Sequence, residues 1–160
     1  LSNLTTQEQA GLHLLNTAFC LECHDNIAVA GNENPTFLIY GNGSNTPGDA
    51  AGNNCLDLVY ADNGIGELTG DAQYNGVFKI PSLRNVELTG PYMHDGRFTT
   101  LDQVIEHYSS GIKNHPNRPI QLPGTGFNFS SEQKAQLIAF LKTLSDRTFL
   151  TDPKYSDPFQ

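Results

Sequence analysis

Basic residues are scarce in this chain. Lys and Arg together number 9 against 17 Asp and Glu, a formal charge of −8 over 160 residues. No stretch gathers the cations into a patch, which excludes nucleic-acid binding, because phosphate contacts need clustered Lys and Arg. The acidic excess reads as a solvated surface, or as one that steers a basic redox partner. Long apolar runs are missing too: nothing approaches the roughly 20 residues that a helix needs to cross a bilayer. The chain opens LSNLTTQEQA, with neither a basic start nor an apolar stretch, so the expectation is a mature chain or one cut from something longer. Cysteines number 3, too few for a disulfide framework, and their spacing has to decide their role. Methionine occurs once, as Met93.

The length fits one domain over 1–160 with its own core. Apolar residues make up 38%, and Gly and Pro count 15 and 9, which predicts a compact domain with long loops. TTQEQAGLHLLNTAF reads as a helix: Thr5 with Glu8 spells a capping box, and Leu12, Leu15 and Phe19 recur at helical spacing. Residues 31–76 are rich in Gly, Asn and Asp and read as a long loop. A second helix starts near Thr100, with Gln103 completing its capping box. Leu101, Val104, Ile105 and Tyr108 then share one face, and Gly111 is a stop signal. Residues 112–129 form another loop. Ser130 to Leu144 is a third helix, capped by Ser130 and Gln133, with Leu137, Leu141 and Leu144 toward the core. The proline-bearing tail TDPKYSDPFQ runs over the surface. No convincing strand pairs are visible, so the expected class is all-α.

Cys20-Leu21-Glu22-Cys23-His24 is C-x-x-C-H, the pattern of c-type haem attachment. Two thiols a turn apart can add to the two vinyl groups of one haem, and the adjacent His then supplies a nitrogen to the iron. A redox C-x-x-C pair belongs to a βαβ context, which is missing, and a zinc site needs further Cys or His at suitable spacing. One covalent haem c is therefore expected, held by Cys20 and Cys23 and ligated by His24. The porphyrin also supplies apolar surface for a loop-rich core to pack on. Cys55 reads as a buried structural thiol, and His13 and His115 as surface or packing residues.

The sixth iron position has two candidates on the residues alone. Met93 offers a thioether, which raises the reduction potential; Tyr108, on the inward face of the second helix, offers a phenolate, as in catalase. Both side chains are equally compatible with ordinary packing. His107 is expected on the face opposite Tyr108 and is the weaker candidate.

Residues 78–111, FKIPSLRNVELTGPYMHDGRFTTLDQVIEHYSSG, closely resemble the C-terminal haem domain of the bacterial di-haem cytochrome c peroxidase and MauG family. The ending FLKTLSDRTFLTDPKYSDPF resembles the same domain. The resemblance implies a class I cytochrome c-like fold and a division of labour, in which an N-terminal haem meets peroxide and the C-terminal haem relays electrons to it. A second C-x-x-C-H is absent, so the chain is expected to be the C-terminal half of a longer protein. The position of the distal ligand in the family falls on Tyr108, which the resemblance favours over Met93. It also implies that backbone carbonyls of Thr89 and Pro91 take part in a calcium site, and that His94 lies near the path between haems. Arg84 and Arg97 are candidate partners of the haem propionates, or residues that fix their loops. The expected function is electron relay within a di-haem peroxidase. The alternatives are a MauG-like oxidase acting through high-valent iron and a free-standing one-haem carrier. Expected partners are the N-terminal haem domain, a small redox protein as donor and a second copy of the chain, with a periplasmic location.

Overall fold

The structure is a computed structural model that describes residues 3–24, 51–157 and 159. The first part of the expected loop, up to residue 50, lies outside the described residues. In chain order the elements are α1 (Thr6–Thr17), α2 (Cys20–His24), β1 (Ala51–Gly52), α3 (Ile65–Thr69), β2 (Phe78–Lys79), α4 (Leu101–Glu106), α5 (Ser131–Lys142) and α6 (Arg147–Thr151). A π-helical turn, His107–Gly111, is fused to the end of α4.

The three core helices begin on the same device. The Thr5 hydroxyl accepts the Glu8 N–H while the Glu8 carboxylate accepts the Thr5 N–H, and Thr100 with Gln103 and Ser130 with Gln133 repeat the exchange. Each box satisfies two of the N–H groups that a helix start leaves without partners. The helices then meet through Leu15 of α1, Leu101 and Ile105 of α4, and Leu137, Phe140 and Leu141 of α5. Burial of each such side chain contributes roughly 1.5–3 kcal/mol. α1 crosses α5 at Gly11, where an added Cβ would meet the backbone carbonyl of Gln136. Cys20, Leu21 and Leu83 pack on the edge of this cluster, so the core itself positions the C-x-x-C-H segment and the P-S-L-R-N string beside each other.

Several expectations need correcting. Phe19 does not enter the core: it is 53% exposed and sits at φ 56°. α1 ends at Thr17, and the left-handed turn at Phe19 breaks the helical period before α2 begins. Phe140, which the leucine spacing passed over, is buried at 4%. A short antiparallel pair exists, with Ala51 opposite Lys79 and Gly52 opposite Phe78; two residues per strand are too few for an alternating pattern to show. The described fold is mainly helical with few strands. His107 is not turned away from the interior but is 5% exposed. A π turn carries more residues per turn than an α-helix, so it rotates His107 inward while keeping Tyr108 half-buried. Among the described residues no helix is long and apolar enough to cross a membrane.

Candidate functional site

The site starts where α1 stops. The Ala18 N–H closes onto Leu14 O and the Phe19 N–H onto Asn16 O, and the chain reverses into α2 with Cys20, Cys23 and His24 on one short helix. The His24 Nδ1 lies 2.9 Å from the carbonyl oxygen of Pro81. A carbonyl can only accept, so Nδ1 carries the proton, and Nε2 is left with its lone pair. This is the backbone contact that fixes the tautomer of a metal-binding imidazole. Burial pushes the His24 pKa below its ordinary value against the opposing pull of the Pro81 carbonyl, which keeps the ring neutral. Burial, helped by the charge of Cys23, pushes the Cys20 thiol up to about 11.

Tyr108 reaches this region from the π turn. Its phenol is held above its ordinary range, first by burial and then by the electrostatic influence of Cys20, Cys23 and Cys55. His107 packs beside it, with ring centroids 5.3 Å apart, and places its Nε2 2.8 Å from Asn54 O.

Met93 is placed differently. It sits at φ 72°, and its sulfur accepts the Asn54 Nδ2–H at 3.2 Å. His94 is exposed and stacks on Phe78 at 3.9 Å and 12°, with Tyr60 5.7 Å away. Arg97 is engaged by carboxylates, at 2.5 Å from Asp57 and 2.7 Å from Asp95, and holds both acids below the usual carboxylate range. Arg84 is exposed, and its backbone N–H donates to Ser82 Oγ. Thr89 and Pro91 are exposed, between a 3-10 turn at Val86–Leu88 and the Tyr92–Phe98 bridge. Cys55 is fully buried. His115 is buried as well, in a polar knot where Asn53 Nδ2 and the Asn117 N–H approach its Nδ1 at 3.1 and 3.0 Å. His13 is exposed on α1.

Among the described residues no three His, Cys, Asp or Glu side chains converge as a zinc site requires. The donor set at α2 suits a different group. Two adjacent thiols, an imidazole with a free Nε2 and a phenol nearby fit a covalently attached haem. Sequence reasoning missed the Pro81 carbonyl, Asn54 and the π turn; only the fold brings that carbonyl to His24 and Asn54 to His107 and Met93.

No family model matches the chain. Among curated relatives, the cytochrome c551 peroxidase of Nitrosomonas europaea is 32% identical over 142 residues, covering 89% of this chain and 35% of that protein. The methylamine utilization protein MauG of Paracoccus denitrificans is 32% identical, covering 91% of this chain and 44% of its own length. Among solved structures, a MauG-like protein associated with microbial copper homeostasis superposes with a TM-score of 0.81 at 31% identity, over 99% of this chain and 52% of that one. The chain belongs to the cytochrome c peroxidase and MauG family. It corresponds to the C-terminal part of those relatives and spans between a third and about half of their length. The diheme peroxidase BthA of Burkholderia thailandensis shares the fold, with a TM-score of 0.66 at 22% identity over 92% of this chain and 44% of that one. Members of the family carry haem of the c type.

Proposed function

We propose that this chain is the electron-relaying haem domain of a di-haem cytochrome c peroxidase-like oxidoreductase, with a class I cytochrome c architecture. The observation that carries the reading is the bond from His24 Nδ1 to Pro81 O, which leaves Nε2 as a preorganised ligand one residue from a pair of thiols. Cys20 and Cys23 hold one haem through thioether bonds, and His24 ligates its iron. When bound, the haem supplies a one-electron redox centre. The residues around it hold, orient and shield it.

Tyr108 is the distal ligand in this reading. The charges of Cys20 and Cys23 help to raise the pKa of its phenol, which supports this reading, whereas the Met93 sulfur accepts a bond from Asn54. Burial raises the pKa of the phenol, so a bound metal's charge would be needed to hold it as the phenolate, and an anionic oxygen ligand would favour the oxidised metal. In this reading His94, which is exposed and stacks on Phe78, couples this domain to a second haem domain of the same protein. The carbonyls of Thr89 and Pro91 contribute to a calcium site at that junction. A small redox protein is the electron donor, and the location is periplasmic, because c-type haem is attached outside the cytoplasm.

Tyrosine ligation by Tyr108 would also favour a second reading, a MauG-like oxidase of an organic or protein substrate. The experiment is production in a host that matures c-type cytochromes, followed by pyridine haemochrome analysis and ferric absorption spectroscopy. One covalent haem per chain motif, without the weak far-red band of methionine ligation, is the expected result. A colourless protein free of iron rejects the reading. Turnover of peroxide with a reduced small cytochrome, set against turnover of an amine-pathway protein, separates the two functions.

A further inference from the structure

Arg118 has a place in the fold that the site so far leaves unexplained. Its Nη1 donates to the carbonyl oxygens of Leu122 and Pro119, which ties together the loop after Ile112. Its Nε–H is buried and, among the described residues, meets no acceptor. The other arginines differ. The fork of Arg97 is closed by Asp57 and Asp95, Arg147 lies 3.6 Å from Glu87, and Arg84 is exposed. Leaving a buried guanidinium N–H unmet is costly, and the acceptor that matches its planar geometry is a carboxylate.

The loop that carries Arg118 is stitched to the site at several points. The Lys113 N–H bonds Cys55 O at 2.9 Å, the Phe127 N–H bonds Tyr108 O at 3.0 Å, and the Asn128 N–H bonds Ser109 O at 2.8 Å. The guanidinium lies beside Gly124, where an added Cβ would stand 3.7 Å from Arg118 Cζ and Nε. The loop that carries the cation is thus joined by backbone bonds to the Tyr108–Ser109 turn and to Cys55, and a cofactor bound beside that turn would bring carboxylates able to meet the open N–H.

We propose that Arg118 is a cofactor-binding residue whose Nε–H donates to a haem propionate. The inference rests on the haem reading above and assigns to Arg118 the contact for which the sequence suggested Arg84 and Arg97. A fixed cation beside the propionate also favours the reduced metal by offsetting nearby negative charge.

The test uses Arg118→Gln and Arg118→Lys in the protein made by a cytochrome-maturing host. Covalent haem content is expected to match the parent in both. The propionate-bending bands of the resonance Raman spectrum are expected to shift in both, since Lys lacks the planar fork. In the Gln variant the ferrous-to-ferric ratio at a fixed solution potential is expected to fall about tenfold, about 59 mV for a one-electron couple; in the Lys variant it stays close to the parent. If the Gln variant does not fold, the Lys bands decide. Unshifted bands in a haem-loaded variant overturn the inference and leave Arg118 as a loop tie. A parent without covalent haem overturns the inference together with the reading it rests on.

Discussion

At the scale of single residues, Tyr108 discriminates best between the readings. Its hydroxyl is replaced by hydrogen in Tyr108→Phe, which keeps the ring and its contact with His107. The expected outcome is a folded protein with covalent haem whose ferric spectrum changes and which now binds added cyanide, followed by absorption titration. A spectrum identical to the parent's would mean that another group occupies the position. Arg97 gives a second test at this scale. Its two ion pairs hold Asp57 and Asp95 below their ordinary pKa of 3.8. Acids depressed by folding stabilise the folded state above their unfolded pKa. That stability starts to be lost as pH falls past 3.8 and is gone below the lower folded values. The pairs are about a third exposed, so solvent screening limits the network to about 1 kcal/mol. Arg97→Ala is expected to lose about that much near neutral pH and nothing at strongly acid pH, read from urea midpoints. The sequence made Cys20, Cys23 and His24 legible because they are contiguous. It could not show that Pro81 would offer its carbonyl to His24, because every residue carries a carbonyl and only the fold chooses one.

At the scale of elements, the helix starts were legible and the helix irregularities were not. A capping box is written within four neighbouring residues, so Thr5, Thr100 and Ser130 were readable at sight. The π turn after α4 depends on what the turn packs against. His107 reaches Asn54 O, and the following loop bonds the carbonyls of Tyr108 and Ser109. No local pattern announces such a turn. The α1–α5 crossing gives a sharp test. Gly11 has no Cβ, which lets the helices approach until that position meets the Gln136 carbonyl. Alanine would raise helix propensity by about 1 kcal/mol, but here it forces the helices apart, and overpacking of this kind costs about 1–3 kcal/mol. Gly11→Ala is therefore expected to lower stability, measured by chemical denaturation. A stabilised variant would show that the crossing is looser than described. Gly126 is a related case at φ 78°, against the Ser109 carbonyl. Gly126→Ala is expected to disturb the loop over the π turn and so to change the haem absorption as well as the stability.

At the scale of the molecule, the apolar cluster lies among α1, α4 and α5, and the remaining described segments are held largely by polar contacts. Tyr60 donates to Asn53 Oδ1 at 2.8 Å and accepts the Leu56 N–H at 3.0 Å. Asn53 and Asn117 both approach Nδ1 of His115, and Asn117 reaches on to the carbonyls of Ala72 and Asn75. This knot joins the segments 51–76 and 112–118, which a hydrophobic pattern could never have linked, and so it was invisible in the sequence. It works only while Nδ1 keeps its lone pair. Burial holds the His115 pKa below its ordinary 6.5, so the unfolded chain takes up the proton first. Stability is full above pH 6.5, declines as pH falls below it, and stops declining at the lower folded value. Each acceptor bond lost on protonation removes about 0.5–1.5 kcal/mol. Urea midpoints are therefore expected to drop as pH falls below 6.5. His115→Gln, which cannot titrate, is expected to start lower at pH 7 and to have a smaller slope, the remainder coming from His24 and His107, whose pKa values burial also lowers. A slope equal to the parent's would move the acid sensitivity to another histidine and leave the knot as mere packing.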